Sequence, residues 1–96
     1  MSAAIFDQVE LPDGLGTVTL YDWMAEEVRD GRNLIRADKE GRELWRAEPP
    51  FYRAGQEDCF TKVAWDGATL TAFSWSCYRV SINPISGAVT ILAFTK

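Results

Sequence analysis

The residues of this chain that could carry out acid–base chemistry are almost all carboxylates, because the sequence contains no histidine. Histidine is the side chain whose ordinary pKa lies closest to neutral pH, so a general acid or base here would need a carboxylate, lysine or cysteine with a shifted pKa. The densest polar group beside a thiol is Glu57-Asp58-Cys59. Acidic neighbours raise the pKa of a thiol, which works against a reactive thiolate. We therefore interpret this group as a solvated loop.

The other motifs that could bind or react also lack an essential part. Ser74 and Ser76 do not lie in a Gly-x-Ser-x-Gly elbow, and no base is evident for them. The glycines of residues 13–16 are not followed by the lysine and helix of a phosphate loop. Cys59 and Cys77 match no zinc spacing and are expected to be free thiols. We predict no catalytic residue, no metal site, no cofactor and no enzyme.

Length and charge limit the class of protein further. A chain of 96 residues predicts one domain over residues 1–96. A net charge of −4 argues against a nucleic-acid surface, which normally has a basic excess. No apolar run is long enough to span a bilayer, and the first residues lack the basic start and apolar core of a signal peptide. We expect a cytoplasmic protein of bacterial type, with neither a membrane nor a nucleic acid as partner.

Runs of β-branched and aromatic residues, separated by turn residues, predict an all-β fold. The prediction is one antiparallel β-meander of about seven to eight short strands. Asp66-Gly67 predicts a two-residue type I′ turn, while Gly41 and Gly87 stand where hairpins need a left-handed residue. The predicted strands are residues 5–11, 17–21, 33–38, 42–47, 60–65, 68–75, 78–83 and 88–95.

Residues 22–31 are ambiguous between a short helix and a loop. Asp22 could cap a helix that ends before Gly31, but two turns of helix are marginal in isolation. We favour a loop with at most one helical turn near residues 23–30.

The last run has two faces that are both mostly apolar. The alternation places Ala88, Thr90, Leu92 and Phe94 on one face and Val89, Ile91, Ala93 and Thr95 on the other. A short chain has little material to cover a sheet on both sides, and small β proteins rarely leave apolar faces and edges open to water. We therefore expect a homo-oligomer, with a twofold dimer as the first choice.

Aromatic and arginine residues suggest where such an interface could lie. The chain has four tryptophans, three tyrosines and five phenylalanines, too many to be central in so small a core. Aromatic residues and arginine are enriched in protein interfaces. The predicted interface residues are Trp45, Arg46, Phe51, Tyr52, Trp75, Tyr78, Arg79 and Ile91.

Residues 33–45 and 78–91 resemble each other: each reads as a strand, an Asp or Asn, a turn ending in glycine, and a returning strand. The matching positions are Asp38, Gly41 and Trp45 in the first stretch and Asn83 and Gly87 in the second. This pattern resembles the outer hairpin of blades in quinoprotein-like (PQQ-repeat) β-propellers, and a hairpin in small uncharacterised bacterial proteins. The resemblance implies two propeller-blade-like sheets. A closed propeller needs about four blades or more, so the cofactor of those enzymes is not implied.

Three functions remain open. The first is a non-enzymatic binding or assembly module that self-associates through an apolar sheet face. The second is a small acidic inhibitor of the immunity-protein type, bound to a basic protein partner. The third is a small-ligand binder or enzyme with its site at the oligomer interface. The doubly apolar last strand favours the first.

Overall fold

The computed structural model describes residues 4–28, 31–50 and 58–94. These residues form eight antiparallel strands in two four-stranded sheets, with neighbours in each sheet following chain order. The all-β meander predicted from the sequence is therefore confirmed. The N-terminal sheet contains β1 (Ile5–Glu10), β2 (Thr17–Tyr21), β3 (Leu34–Ala37) and β4 (Glu43–Arg46). The C-terminal sheet contains β5 (Phe60–Trp65), β6 (Leu70–Ser74), β7 (Tyr78–Ile82) and β8 (Val89–Phe94).

The segment after β2 contains a single 3₁₀ turn, Glu26–Val28. The Asp22 carboxylate accepts the backbone N–H of Met24 at 2.8 Å and so supports the approach to this turn. Val28 is fully buried and anchors it. In the part of this segment that the structure describes, the expectation of at most one helical turn is confirmed. Within the described residues, no helix is long and apolar enough to cross a membrane.

The turn between β5 and β6 differs from the predicted two-residue type. The strands stop at Trp65 and resume at Leu70, which leaves four residues between them. Gly67 has a positive φ of 96°, whereas Asp66 keeps a negative φ. The Asp66 carboxylate accepts the N–H groups of Ala68 and Thr69 at 2.8 and 2.7 Å. This side-chain acceptor favours a wider turn than the one an Asp-Gly pair usually makes.

A hydrophobic core lies between the two sheets, and β5 lies against β1 and β2. It is built mainly from Val, Leu and Ile side chains of the strands, which suit a pleated and buried surface. The largest fully buried side chains include Phe60, Leu20, Leu34 and Leu70. Both cysteines are free thiols, as predicted, with Cys59 buried and Cys77 partly exposed.

The two sheets contribute opposite faces to this core, although residues 33–45 and 78–91 look alike. In β3, the core-facing side chain that bonds across to the other sheet is Arg36, which lies two residues before the turn residue Asp38. Counting back from Asn83, the core-facing side chains of β7 are Ile82 and Val80, the first and third positions. Successive side chains of a strand point to opposite faces of the sheet, so an offset of one residue changes the face. The face that the N-terminal sheet turns to the core is therefore the equivalent of the outer face of the C-terminal sheet.

Each edge strand carries one extra residue that forms a β-bulge. The extra residues are Phe6 in β1, Leu44 in β4, Thr61 in β5 and Leu92 in β8. In β8 the bulge shifts the alternation, because Ile91 pairs with Val80 and Phe94 pairs with Tyr78. Ile91 and Phe94 therefore lie on the same side of the sheet. The predicted division of the last run into two alternating faces was wrong for this reason.

Asn33 joins the sheets through a fully buried side-chain amide. Its Nδ2 donates to the carbonyl oxygens of Tyr21 at 2.9 Å and Phe60 at 2.8 Å. Its Oδ1 accepts the N–H of Phe60 at 2.9 Å. A buried amide with three good hydrogen bonds fixes both position and direction, so it sets how β5 enters the core beside the N-terminal sheet.

A second polar connection uses the carbonyl of Pro84, in the turn between β7 and β8. It accepts hydrogen bonds from Arg36 Nη1 at 2.9 Å and from Trp45 Nε1 at 3.0 Å. Arg36 Nε also donates to the carbonyl of Leu15 at 2.8 Å. Two buried side chains of the N-terminal sheet thus hold a turn of the C-terminal sheet in place.

Candidate functional site

Strand β8 carries the largest group of exposed apolar side chains on any one strand of the described chain. Ile91 is 51% exposed, Leu92 45% and Phe94 57%. Phe94 also makes an edge-to-face contact with Tyr78, with ring centroids 5.1 Å apart. Contiguous exposed apolar groups of this kind mark interaction surfaces more often than isolated ones do.

The four edge strands differ in how they are protected against pairing with another chain. β1 contains Asp7 and Glu10, β4 contains Glu43 and Arg46, and β5 contains Lys62. Charged residues on an edge strand discourage further strand addition, and so do bulges, which all four edges have. β8 contains neither a charged residue nor a proline. Among the described edges it is therefore the least protected.

A cleft of about 420 Å³ runs between β8 and the chain that follows β4. One wall consists of Arg46 and residues 48–50, and the other consists of residues 86–89 and Ile91. The Arg46 guanidinium is paired with Glu43, with Nε 2.9 Å from Oε2. The cleft is thus an open groove with an uncharged wall on β8 and a polar wall on the N-terminal sheet.

The structure divides the predicted interface residues among several places. Arg46 and Ile91 both line the cleft, and Tyr78 lies beside β8 on β7. Trp75 is 67% exposed in the turn between β6 and β7, and Arg79 is exposed on β7. Phe51 and Tyr52 lie outside the described residues.

Trp45 lies in the core, only 8% exposed, and is not available to a partner. Its ring is covered by Gly87 of the turn between β7 and β8. The turn that covers it comes 42 positions later in the chain, so the local sequence gives no sign that this tryptophan is buried. Leu92 and Phe94 are exposed on β8 but are not among the predicted interface residues, although their apolar character in an uncharged run was a visible signal.

The polar residues considered for chemistry do come together, at the turn between β6 and β7. The Asp58 carboxylate accepts the N–H groups of Cys59 at 3.0 Å and Ser76 at 3.1 Å, and the Ser76 hydroxyl at 2.8 Å. The Ser76 and Ser74 hydroxyl oxygens are 2.8 Å apart, and Ser74 accepts the N–H of Tyr78 at 3.3 Å. These contacts tie the turn to the start of β5. Asp58 and Cys59 are both buried, so the interpretation of these two residues as part of a solvated loop was wrong. In the described ranges, no three or more Cys, Asp or Glu residues are placed to hold a metal ion.

The chain was compared with protein families, curated proteins and solved structures. A family described as a domain of unknown function (DUF7957) matches residues 2–94. No curated protein and no solved structure matches the chain. Since the family match covers both sheets and almost the whole sequence, the chain belongs to the DUF7957 family, a domain of unknown function.

Proposed function

We propose that this domain is a non-enzymatic assembly module that self-associates through the exposed strand β8. The observation that carries the proposal is the character of β8, an edge strand with apolar side chains, no charge and no proline. An unprotected apolar edge in water tends to find a partner. A symmetric pair of identical chains is the commonest partner for such a surface.

The free energy from burying the apolar side chains of β8 is not by itself clearly larger than the free-energy cost of association. Fully burying one large apolar side chain contributes about 1.5–3 kcal/mol, so covering three half-exposed ones contributes roughly 2–5 kcal/mol per copy. Association costs an estimated 4–15 kcal/mol in lost translational and rotational freedom. The apolar contribution from two copies is thus comparable with the cost. Further contacts, such as backbone hydrogen bonds, have to supply the difference.

Charge supports the choice of β8 over other surfaces. Each copy has a net charge of −4, so two copies repel weakly at a distance. The uncharged strand is a place where they can approach without facing like charges. We expect added salt to strengthen the association, because it screens this repulsion.

The absence of enzymatic activity is part of the proposal. It is supported by the use of the polar cluster around Asp58, whose oxygens accept hydrogen bonds from the backbone and hydroxyl of one turn. A carboxylate occupied in this way holds the turn and has little freedom to act on a substrate.

The test is sedimentation velocity at micromolar concentration, on the wild type and on Ile91→Lys. We expect the wild type to have at least twice the monomer mass and Ile91→Lys to be a folded monomer, because the new charge would be buried at the interface. The matched control is Ile5→Lys, on the edge strand β1, where Ile5 is 56% exposed. It should leave the wild-type mass unchanged. A monomeric wild type at all concentrations, or an unchanged mass for Ile91→Lys, would contradict the proposal.

A further inference from the structure

The backbone of β8 offers hydrogen-bonding groups on its open side. The N–H of Asn83 donates to the carbonyl of Ala88 at 2.9 Å, which makes these two residues a hydrogen-bonded pair of the β7–β8 ladder. Such pairs alternate with non-hydrogen-bonded pairs along an antiparallel ladder. The pair of Ile82 with Val89 is therefore of the second kind, and so is that of Val80 with Ile91. The N–H and C=O groups of Val89 and Ile91 point away from β7.

Val89 and Ile91 flank Thr90 symmetrically, and this makes β8 complementary to itself. A second β8 can run antiparallel to the first with Thr90 of one copy opposite Thr90 of the other. In that register Val89 of each copy lies opposite Ile91 of the other copy, which gives two equivalent pairs. Each of these two pairs exchanges two backbone hydrogen bonds, so four form in total. The bulge at Leu92 lies outside this three-residue stretch and does not interrupt it.

The side chains agree with the same register. On the cleft side of the sheet, each Ile91 would pack against Val89 of the other copy, and aliphatic cross-strand pairs of this kind stabilise sheets. On the opposite side, the two Thr90 side chains would meet, and Thr–Thr pairs are also favourable across strands. Thr90 is exposed in the single chain. Because Val89–Phe94 contains no charge, the antiparallel pairing brings no like charges into contact.

We propose that two copies of this chain join β8 to β8 in an antiparallel pair centred on Thr90. The result is a continuous eight-stranded sheet across a twofold axis. This inference rests on the proposed self-association through β8, and it specifies backbone pairing at one register in place of packing through a sheet face. The other edges, β1, β4 and β5, carry charges that would oppose the same arrangement.

Disulfide trapping tests the register. In a Cys77→Ser background, which removes the partly exposed thiol, Thr90→Cys places two thiols on the twofold axis. Opposite residues in a non-hydrogen-bonded pair have Cα atoms about 4.5 Å apart, within the range of a disulfide. The matched control is Ala93→Cys, on the same face of the same strand. Its two copies would be about 20 Å apart, at about 3.3 Å per residue.

We expect mild oxidation to link Thr90→Cys chains covalently at least tenfold faster than Ala93→Cys chains, on non-reducing gels. Equal rates, or faster linkage through Ala93→Cys, would overturn the register. Should sedimentation give a monomeric wild type at every concentration, both this inference and the proposed function would fall.

Amide hydrogen exchange of the unmodified chain tests the backbone pairing. We expect the amides of Val89 and Ile91 to exchange at least tenfold more slowly at a concentration where the chain is associated than at one where it is dissociated. If sedimentation shows an oligomer while both amides exchange at the same rate throughout, the strand pairing is wrong and self-association through a side-chain surface stands.

Discussion

Gly87 is the residue whose lack of a side chain matters most to the contact between the sheets. A Cβ at this position would lie 2.7 Å from Cδ2 and 2.8 Å from Cγ of Trp45. The indole cannot easily move aside, because its Nε1 donates to the carbonyl of Pro84 at 3.0 Å. Gly87 also has a positive φ of 79°. Both its backbone conformation and its close approach to the ring therefore require glycine.

We predict that Gly87→Ala destabilises the protein about three times as much as Gly41→Ala. Gly41 has a similar φ of 84°, but nothing lies within 4 Å of a Cβ there. Gly41→Ala should lower the free energy of unfolding by about 1 kcal/mol, the cost of a left-handed non-glycine residue. Gly87→Ala should lower it by about 3 kcal/mol, since overpacking adds about 1–3 kcal/mol. Urea unfolding followed by tryptophan fluorescence measures both, and equal losses would contradict the role of the indole.

Residues whose roles depend only on the nearby chain were predictable from the sequence. Gly41 and Gly87 were predicted to be left-handed from their place at the ends of turns, and both have positive φ. The roles of Asn33 and Arg36, which are polar and buried, were not predicted. Their hydrogen-bond partners include Phe60 and Pro84, which lie far along the chain. The only local sign of these roles was the polar character of both residues beside apolar ones in the same run.

The turns are elements held by carboxylates as well as by glycines. The Asp66 carboxylate accepts the N–H groups of Thr69 and Ala68, and these bonds hold the pKa of Asp66 below its ordinary value of 3.8. The pKa of Asp38 is lowered in the same way, chiefly by the N–H of Arg42. A carboxyl group whose pKa is lower in the folded state stabilises the fold above its unfolded pKa. That contribution is lost as the pH falls through the folded pKa.

We predict that Asp66→Asn makes the stability of the protein less sensitive to acid. In the wild type, the free energy of unfolding should fall as the pH drops below about 4, since the unfolded chain binds the proton more readily. An Asn side chain keeps the Oδ1 acceptor and does not titrate, so Asp66→Asn should show a shallower decline. Urea unfolding at several pH values between 5 and 2 measures the slope, and an unchanged slope would count against this account of the turn.

The strands were predictable to within about two residues, because glycine-containing turns and β-branched runs are local signals. The bulges were not. The extra residues Leu44 and Leu92 have no sequence signature, since a bulge exists only in relation to the strand beside it. This is why the faces of β8 were assigned wrongly and the exposure of Phe94 beside Ile91 was not foreseen.

The whole molecule depends on one core shared by the two sheets and on the amide of Asn33 between them. We predict that Asn33→Ala lowers the free energy of unfolding by about 3 kcal/mol or more. It leaves the two buried backbone groups of Phe60 without their partner, at about 1–3 kcal/mol each, and also the part-buried carbonyl of Tyr21. The matched control, Asn83→Ala, removes exposed turn hydrogen bonds and should lower it by about 1 kcal/mol.

Both sheets should unfold in one transition in the wild type and in Asn33→Ala. Trp45 belongs to the N-terminal sheet and Trp65 to the C-terminal sheet. Fluorescence of a variant that keeps only Trp45 and of one that keeps only Trp65, with the other three tryptophans changed to Phe, therefore follows the two sheets separately. We expect both curves to coincide with far-ultraviolet circular dichroism, as in a two-state domain. Separate midpoints in the wild type would mean that the sheets are independently stable and that the shared core does not couple them.

The sequence predicted two blade-like sheets but not which of their faces meet. The likeness between residues 33–45 and 78–91 suggests that equivalent faces of the two sheets pack into the core. The core instead uses opposite faces. Alternation alone cannot decide this, because each strand offers two faces and the choice depends on how the sheets stack.

Each sheet is made from one continuous half of the chain, and this has a consequence for synthesis on the ribosome. The N-terminal half emerges first. At that stage Phe60 and Pro84, the hydrogen-bond partners of the Asn33 amide and the Trp45 indole, have not yet emerged. Until the second half is translated, the apolar face of the nascent meander is exposed to water. The chain then depends on chaperones or on rapid translation to avoid aggregation. Slow codons placed late in the message, where the first four strands have left the ribosome and the last strands have not, should therefore reduce the yield of soluble protein.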